Sequence, residues 1–125
     1  MPPLPGPVLV IDDDVAVRRA LKFALETEGL DVRLYSGPAE LLDEVALPAA
    51  GCLVVDYSMP AMNGIEMVAA LHHRHVVLPV ILIAARVDTE LRARAARAGI
   101  DRVLEKPLSD GALIDSIRSA LTAQG

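Results

Sequence analysis

Aromatic residues are nearly missing from this chain, which has one Phe, two Tyr and no Trp. The core must therefore be built mainly from Ala, Val, Leu and Ile, and material is plentiful because 53% of the residues are hydrophobic. Aliphatic strands of this kind are typical of a parallel sheet that helices cover on both faces. At 125 residues, the chain has the length of one such domain.

Three further absences exclude classes of function. The formal net charge is -5, which excludes the basic surface of a duplex-binding domain, so we expect no direct nucleic-acid binding. No apolar run is long enough to cross a bilayer, so we expect no membrane association. The single cysteine, Cys52, has no partner for an internal disulfide, which favours a cytoplasmic location.

The first residues differ in composition from the rest. Four of the first seven are Pro, and the segment has neither the basic start nor the long apolar stretch of a signal peptide. We therefore expect residues 1–6 to form a disordered Pro-rich leader and residues 7–123 to form the domain.

Five apolar runs then alternate with five helical patterns. The runs predict strands at residues 8–11, 31–35, 52–55, 80–83 and 102–105. The helical patterns cover residues 15–28, 38–46, 64–74, 88–98 and a last helix after the N-cap Ser109. This alternation predicts an α/β fold of the flavodoxin-like, doubly wound (βα)5 type, with a five-stranded parallel sheet in the order 2-1-3-4-5.

Charged residues follow three of the predicted strands. Asp12 and Asp13 come directly after the first strand, Asp56 after the third and Lys106 after the fifth. The carboxyl ends of parallel strands meet at one edge of a sheet, and that edge is where doubly wound folds bind ligands. We therefore expect three carboxylates and one ammonium group to converge there.

Clustered carboxylates repel one another unless a cation lies among them. Oxygen ligands of this kind suit Mg²⁺ or Mn²⁺ rather than zinc. A carboxylate can also be a nucleophile that takes up a phosphoryl group, whose charge a nearby Lys then neutralises. Taken singly, each acid is equally well explained as a helix cap or turn residue, as we interpret Asp14. Their combination indicates phosphoryl transfer onto Asp56.

The chain resembles the receiver domain of two-component response regulators over residues 7–121. Three segments carry the resemblance: Val10–Asp14, Asp56–Gly64 and Glu105–Pro107. The middle segment reads Asp-Tyr-Ser-Met-Pro-Ala-Met-Asn-Gly, which matches the family pattern D-x-x-M-P-x-M-x-G at every fixed position. The resemblance implies that a sensor histidine kinase or a phosphotransfer protein is the partner.

The resemblance also implies a role for each site residue. Asp56 is expected to be the phospho-acceptor. Asp13 and Asp56 are expected to ligate Mg²⁺ (or Mn²⁺) directly, together with the backbone carbonyl of Ser58, while Asp12 acts mainly through water. Lys106 is expected to pair with Asp56 and then with the phosphoryl group.

Three structural residues follow from the same resemblance. The peptide bond between Lys106 and Pro107 is expected to be cis, a rare state that positions the Lys. Pro60, after Met59, and Gly64 are expected to shape the loop beneath the metal. We expect Gly64 to adopt a backbone angle that other residues do not take cheaply.

Two positions depart from the family pattern. Ala84 stands at the end of the fourth strand, where the family has Thr or Ser. Val103 stands three residues before Lys106, where the family has Tyr or Phe. Because that pair moves on activation in the family, we expect phosphorylation to persist but the conformational response to be weak or differently connected. Ser58 and Arg86 could compensate, although each is more simply a solvated loop side chain.

Three groups of surface residues can be interpreted either as ordinary solvated side chains or as contact surfaces for a partner. We interpret the arginines of the fourth helical region as a solvated basic face, and the histidines after the third helix as surface residues without a metal. The family instead implies a homodimer or output surface built from helix four, strand five and helix five. An apolar patch near the site would suit kinase docking. These sets are Arg86, Arg92, Arg94 and Arg97; His72, His73 and His75; and Val15, Ala16 and Leu108.

The residues at the strand ends bear on four possible functions. The leading hypothesis is a phosphorylatable signalling switch that is not a turnover enzyme. The alternative is a degenerate receiver that acts as a phosphorylation-independent interaction or dimerisation domain, which Ala84 and Val103 favour. A phosphohydrolase usually needs a second Asp where Ser58 stands. A flavin carrier needs a phosphate-binding loop where this chain has three acids.

Overall fold

A computed structural model describes residues 6–44, 46–100 and 102–123, with the backbone alone described for residue 110. The predicted leader therefore lies, apart from Gly6, outside the described residues. The elements in chain order are β1 Val8–Ile11, α1 Val15–Thr27, β2 Val32–Tyr35, α2 Pro38–Leu42, β3 Cys52–Asp56, α3 Gly64–His73, β4 Val80–Ala84, α4 Thr89–Arg97, β5 Arg102–Glu105 and α5 Asp110–Thr122.

The five strands form one parallel sheet in the order β2-β1-β3-β4-β5. This confirms the predicted flavodoxin-like α/β fold. The three inner strands are buried along their whole length, which explains their unbroken aliphatic sequence. The edge strand β2 has one exposed residue, Arg33, in agreement with its mixed polarity.

Helices cover both faces of the sheet and form two cores. On one face α2, α3 and α4 contribute Leu41, Leu71 and Leu91. On the other face α1 and α5 contribute Leu25 and Ile117. Alternate strand residues point into one core or the other, so the sheet itself is fixed from both sides. Among the described residues, no helix combines the length and the apolar character needed to cross a membrane.

Side chains at the carboxyl edge of the sheet cap the helices that begin there. Asp14 accepts hydrogen bonds from the backbone N–H groups of Ala16 and Val17, and Ser109 accepts one from Ala112, so both predicted N-caps are confirmed. Asn63 and Glu66 form a reciprocal capping box at α3. These caps fix where the loops around the carboxyl edge end.

Helix α2 is shorter than predicted. The sequence pattern predicts a helix to residue 46, whereas α2 ends at Leu42. Asp43 and Glu44 follow, and negative charges are unfavourable at a helix C-terminus. The Glu44 carboxylate instead accepts a hydrogen bond from the Tyr35 hydroxyl at 2.9 Å, and the Arg74 guanidinium donates to the Leu42 carbonyl. These long-range contacts stop the helix early.

The predicted reason for Gly64 is wrong. Gly64 is the first residue of α3 and is not among the described glycines with a positive φ, which are Gly6, Gly29, Gly51 and Gly99. A Cβ atom at position 64 would lie 2.8 Å from Leu82 Cδ1 and 2.9 Å from the carbonyl oxygen of Asp56. The position therefore requires glycine because the start of α3 packs directly against the end of β3.

Candidate functional site

The acids that follow β1 and β3 lie side by side. Ile11 pairs with Val55 in the parallel register, so Asp12 and Asp56 occupy the next step on neighbouring strands. Asp12, Asp13 and Asp56 each offer a carboxylate oxygen, and these three atoms lie within 4.8 Å of one another. The structure thus brings together the three acids that the sequence predicts to converge.

Lys106 completes the cluster from the other side. It follows β5, and its backbone N–H donates to the carbonyl of Ala84 at 2.9 Å, which fixes the start of its side chain. Its Nζ lies 3.5 Å from Oδ1 of Asp56. The Lys106–Pro107 peptide bond is cis, as predicted. One ammonium group therefore stands against the buried carboxylate of β3.

Burial sets the electrostatics of the pocket. Asp12 and Asp56 are only 4% and 7% exposed. Burial raises the pKa of Asp56, while the Lys106 ammonium and the Ser58 backbone N–H oppose that rise. Burial also raises the pKa of Asp12, against the hydrogen bond from the Asp14 N–H and with the charge of Asp56. The ionised pocket is therefore short of positive charge.

Neighbouring groups give the three acids after β1 different environments. Asp12 Oδ1 accepts the N–H of Asp14 at 2.9 Å, and the Asp12 carbonyl accepts a hydrogen bond from Arg18 at 2.7 Å. Asp13 is exposed and presents its carboxylate to the cluster. Asp14 is turned to the helix as its cap. Two of the three acids therefore belong to the pocket.

The donor set fits a hard divalent cation. In octahedral Mg²⁺ complexes, ligands on opposite sides of the ion are about 4.2 Å apart, at roughly 2.1 Å each. The carboxylate oxygens of Asp12, Asp13 and Asp56 lie within 4.8 Å of one another, which is close to that span. The cluster therefore has room for an ion and for one carboxylate that contacts it through a water molecule. Among the described residues this is the one group of three or more potential His, Cys, Asp or Glu ligands, and it holds only oxygen donors. Such donors suit Mg²⁺ or Mn²⁺.

Comparison with known proteins identifies the family. The family model for the response regulator receiver domain matches residues 8–118. The chain belongs to the response regulator receiver domain family. Receiver domains of this family are the response regulator modules of two-component systems, and the fold and the strand-end acids of this chain agree with that membership.

Curated relatives of this receiver domain are longer proteins. The transcriptional regulatory protein FixJ of Azorhizobium caulinodans is 39% identical over 115 residues, which is 92% of this chain and 54% of that protein. The C4-dicarboxylate transport transcriptional regulatory protein DctD of Pseudomonas aeruginosa is 40% identical over 114 residues, which is 91% of this chain and 25% of that protein. The chain thus spans about half of the former and a quarter of the latter.

Solved structures of receiver domains superpose closely. The Francisella response regulator 1452 receiver domain has a TM-score of 0.85 and 28% identity, with 96% of this chain and all of that chain (100%) covered. The crystal structure of FixJ-N has a TM-score of 0.80 and 30% identity, with 94% of each chain covered. The architecture of this receiver is therefore that of experimentally solved relatives.

The two positions expected to depart from the family pattern, Ala84 and Val103, lie at the end of β4 and within β5. Ala84 closes β4 and is 3% exposed, so no hydroxyl points from that strand end. Val103 is half-buried on β5 and packs against the core that contains α4. The Glu105 carboxylate accepts the N–H of Val87 at 2.8 Å and so ties the loop after β4 to β5. Small aliphatic side chains thus occupy both positions.

One contact of the receiver was missed by sequence reasoning. The basic face predicted for α4 is not uniformly solvated, because Arg94 donates a hydrogen bond to the Tyr57 hydroxyl at 2.9 Å. Arg86 precedes α4 and lies with Arg94 and Tyr57 around a depression of about 220 Å³. No local pattern could have revealed this contact, since its two partners come from different elements.

The loop after β3 forms the remaining wall. Ser58 is exposed, Met59 packs partly against the core, and Pro60 is exposed. Ala61 has a φ of 73°, which is unfavourable for a residue with a Cβ. Beyond this loop, an apolar depression of about 430 Å³ reaches from Met62 to α2 and Asp13.

Proposed function

We propose that this receiver accepts a phosphoryl group on Asp56 from a sensor histidine kinase or a phosphotransfer protein. The observation that carries the proposal is the pocket around Asp56. A buried carboxylate faces one ammonium group at 3.5 Å and lies within 4.8 Å of two further acids that suit a divalent ion. The domain acts as a signalling switch rather than as a turnover enzyme.

The chemistry follows from the residues of the pocket. A carboxylate oxygen of Asp56 attacks the phosphorus of a phosphohistidine, the phosphorus–nitrogen bond breaks, and the leaving imidazole takes up a proton. Lys106 is placed to neutralise the negative charge that the phosphoryl oxygens bring. Burial limits the water around Asp56, which strengthens these charge interactions.

Asp12, Asp13, Asp56 and the backbone carbonyl of Ser58 are the residues that would hold Mg²⁺ or Mn²⁺. When bound, such an ion neutralises charge on the transferring group. The raised pKa values of Asp12 and Asp56 support this assignment, because buried carboxylates of this kind are stabilised by a cation. Asp13, which is exposed, lies on the solvent side of the same cluster.

The test is a phosphodonor assay read by intact mass. With acetyl phosphate and Mg²⁺, the wild-type chain should gain the mass of one phosphoryl group, and EDTA should prevent it. Asp56→Asn should abolish the adduct. Asp14→Asn is the matched control, because Asn caps helices as well as Asp does and position 14 lies outside the cluster. If Asp56→Asn forms the adduct in the same yield as the wild-type chain, the assignment of Asp56 as phospho-acceptor is refuted.

A second function is favoured by Ala84 and Val103. Without the hydroxyl and the aromatic ring, the domain would act as a phosphorylation-independent interaction or dimerisation module. The intact-mass assay separates the two functions. Under the alternative, the folded chain binds its partner although it carries no phosphoryl adduct. A homodimer through α4, β5 and α5 belongs to either function, and sedimentation with and without phosphodonor measures it.

We also propose a docking surface for the kinase at the start of α1. Val15 is 50% exposed at the start of α1, and the exposed Ala16 and half-buried Leu108 lie at the same edge of the sheet as the pocket. This patch is suited to contact a kinase helix next to Asp56. Because the relatives named above are transcriptional regulators of greater length, we propose that the receiver controls an output domain in a longer protein.

A further inference from the structure

Helix α4 is tied to the residue that follows Asp56. The Tyr57 hydroxyl accepts a hydrogen bond from Arg94 at 2.9 Å, and the guanidinium carbon of Arg94 lies 5.7 Å from the centre of the Tyr57 ring. The same pair is thus joined at the oxygen and at the ring face. Arg94 is half-buried, whereas Arg92 and Arg97 on the same helix are exposed. Arg94 is the arginine of α4 that is built into the structure.

The backbone of Tyr57 leaves little freedom for its ring. Its N–H donates to the carbonyl of Ile83 at 2.8 Å, and its own carbonyl accepts the N–H of Gly64 at 2.9 Å. The ring packs partly against the core that α4 also covers. Because Tyr57 is held on both sides and follows Asp56 directly, a displacement at the end of β3 is passed to its side chain.

The side chains at Ala84 and Val103 offer little for such a connection. Ala84 offers only a methyl group and Val103 has no ring or polar atom. Tyr57, directly after β3, carries a hydroxyl that is bonded to α4 through Arg94. This pair is the contact on which a connection between the end of β3 and α4 can rest.

We propose that Tyr57 and Arg94 are positioning residues that carry the state of the Asp56 pocket to helix α4. The proposal rests on the proposed function, because phosphorylation of Asp56 is its input. A displacement at the end of β3 moves the Tyr57 ring and with it the hydrogen-bonded Arg94 guanidinium, so the face of α4 around Arg94 changes its exposure. The exposure of strand β5, where Val103 offers neither a ring nor a polar atom, is expected to stay unchanged.

Hydrogen–deuterium exchange of residues 89–98 tests the proposal, with beryllofluoride and Mg²⁺ as the phosphoryl mimic. The wild-type chain should change its exchange in α4 but not in β5. Tyr57→Phe keeps the ring and removes the hydroxyl, and it should lose at least half of the α4 change. Arg94→Ala should lose it as well. Arg92→Ala, on the exposed side of the same helix, is the matched control and should keep the full change.

A second readout reports Tyr57 itself. The chain has two Tyr and no Trp, so in a Tyr35→Phe background Tyr57 is the only tyrosine fluorophore. Its fluorescence should change when the mimic binds. Arg94→Ala should remove this change and Arg92→Ala should not. If Arg94→Ala fails to fold by far-UV circular dichroism, Arg94→Lys replaces it, since Lys keeps the charge without the planar donor geometry.

The outcomes separate this proposal from the proposed function. If the intact-mass assay shows the adduct and α4 does not respond in the wild-type chain, the connection is refuted while phosphorylation stands. A full α4 response in Tyr57→Phe also refutes it. If neither adduct nor mimic binding occurs, both proposals fail together, because the connection then has no input.

Discussion

Gly64→Ala is the sharpest test of how the candidate site is supported. The added Cβ would lie 2.8 Å from Leu82 Cδ1, 2.9 Å from Val55 Cγ1 and 2.9 Å from the Asp56 carbonyl oxygen. Overpacking a core costs about 1–3 kcal/mol. Since one of the three contacts is backbone that cannot rotate away, we expect the upper part of that range, about 2–3 kcal/mol.

The expected shift in melting temperature follows from chain length. At roughly 2.1 cal/mol/K per residue, 125 residues give an unfolding entropy of about 0.26 kcal/mol/K. A loss of about 2–3 kcal/mol then lowers Tm by about 8–11 °C. Circular dichroism at increasing temperature and in urea measures both quantities. Because the clash includes the Asp56 carbonyl, the phosphoryl adduct should also form more slowly.

Gly111→Ala is the control for this substitution. Gly111 lies in the first turn of α5, as Gly64 does in α3, and a Cβ there would have no atom within 4 Å. The change should stabilise the chain by about 0.5 kcal/mol through helix propensity alone. If Gly64→Ala and Gly111→Ala have the same stability within error, the close approach of α3 to β3 is not what fixes Gly64.

Four further measurements test other residues. Burial raises the pKa of Asp56 above 3.8, so the folded chain becomes less stable as the pH rises past that value and the carboxylate ionises. At neutral pH and in EDTA, Asp56→Asn should therefore raise the free energy of unfolding. Ala84→Thr should strengthen the activated state by about 1–2 kcal/mol and extend the NMR shifts caused by beryllofluoride from α4 into β5. Shifts that already reach β5 in the wild-type chain would contradict the weak or differently connected response expected here. Burial raises the pKa of Cys52 to about 12, so thiol reagents should modify it only in urea. Ala61→Gly should stabilise the chain by about 1 kcal/mol in urea denaturation, because it relieves the positive φ.

Much of the fold could be predicted because its signals are local. Buried parallel strands read as aliphatic runs, and the strict alternation with helical patterns left few topologies. The closeness of Asp12 and Asp56 can be predicted from sequence for the same reason, since parallel strands end at a common edge. Side chains that directly follow a strand thus inherit the predictability of the sheet.

The rest depends on contacts between elements. The early end of α2 reflects a carboxylate held by Tyr35, and the requirement for Gly64 reflects the distance between two backbones. The Tyr57–Arg94 pair joins a loop to a helix that begins far along the chain. Such contacts leave no periodic trace in the sequence, so only the folded arrangement reveals them.

The adjacency of β1 and β3 has a consequence for when the site exists. Its acids come from segments that lie far apart along the chain and meet only after both strands have joined the middle of the sheet. A nascent or half-folded polypeptide therefore has separate acids but no pocket. Under the proposed function, a molecule that has not completed the sheet therefore has no site that could accept a phosphoryl group.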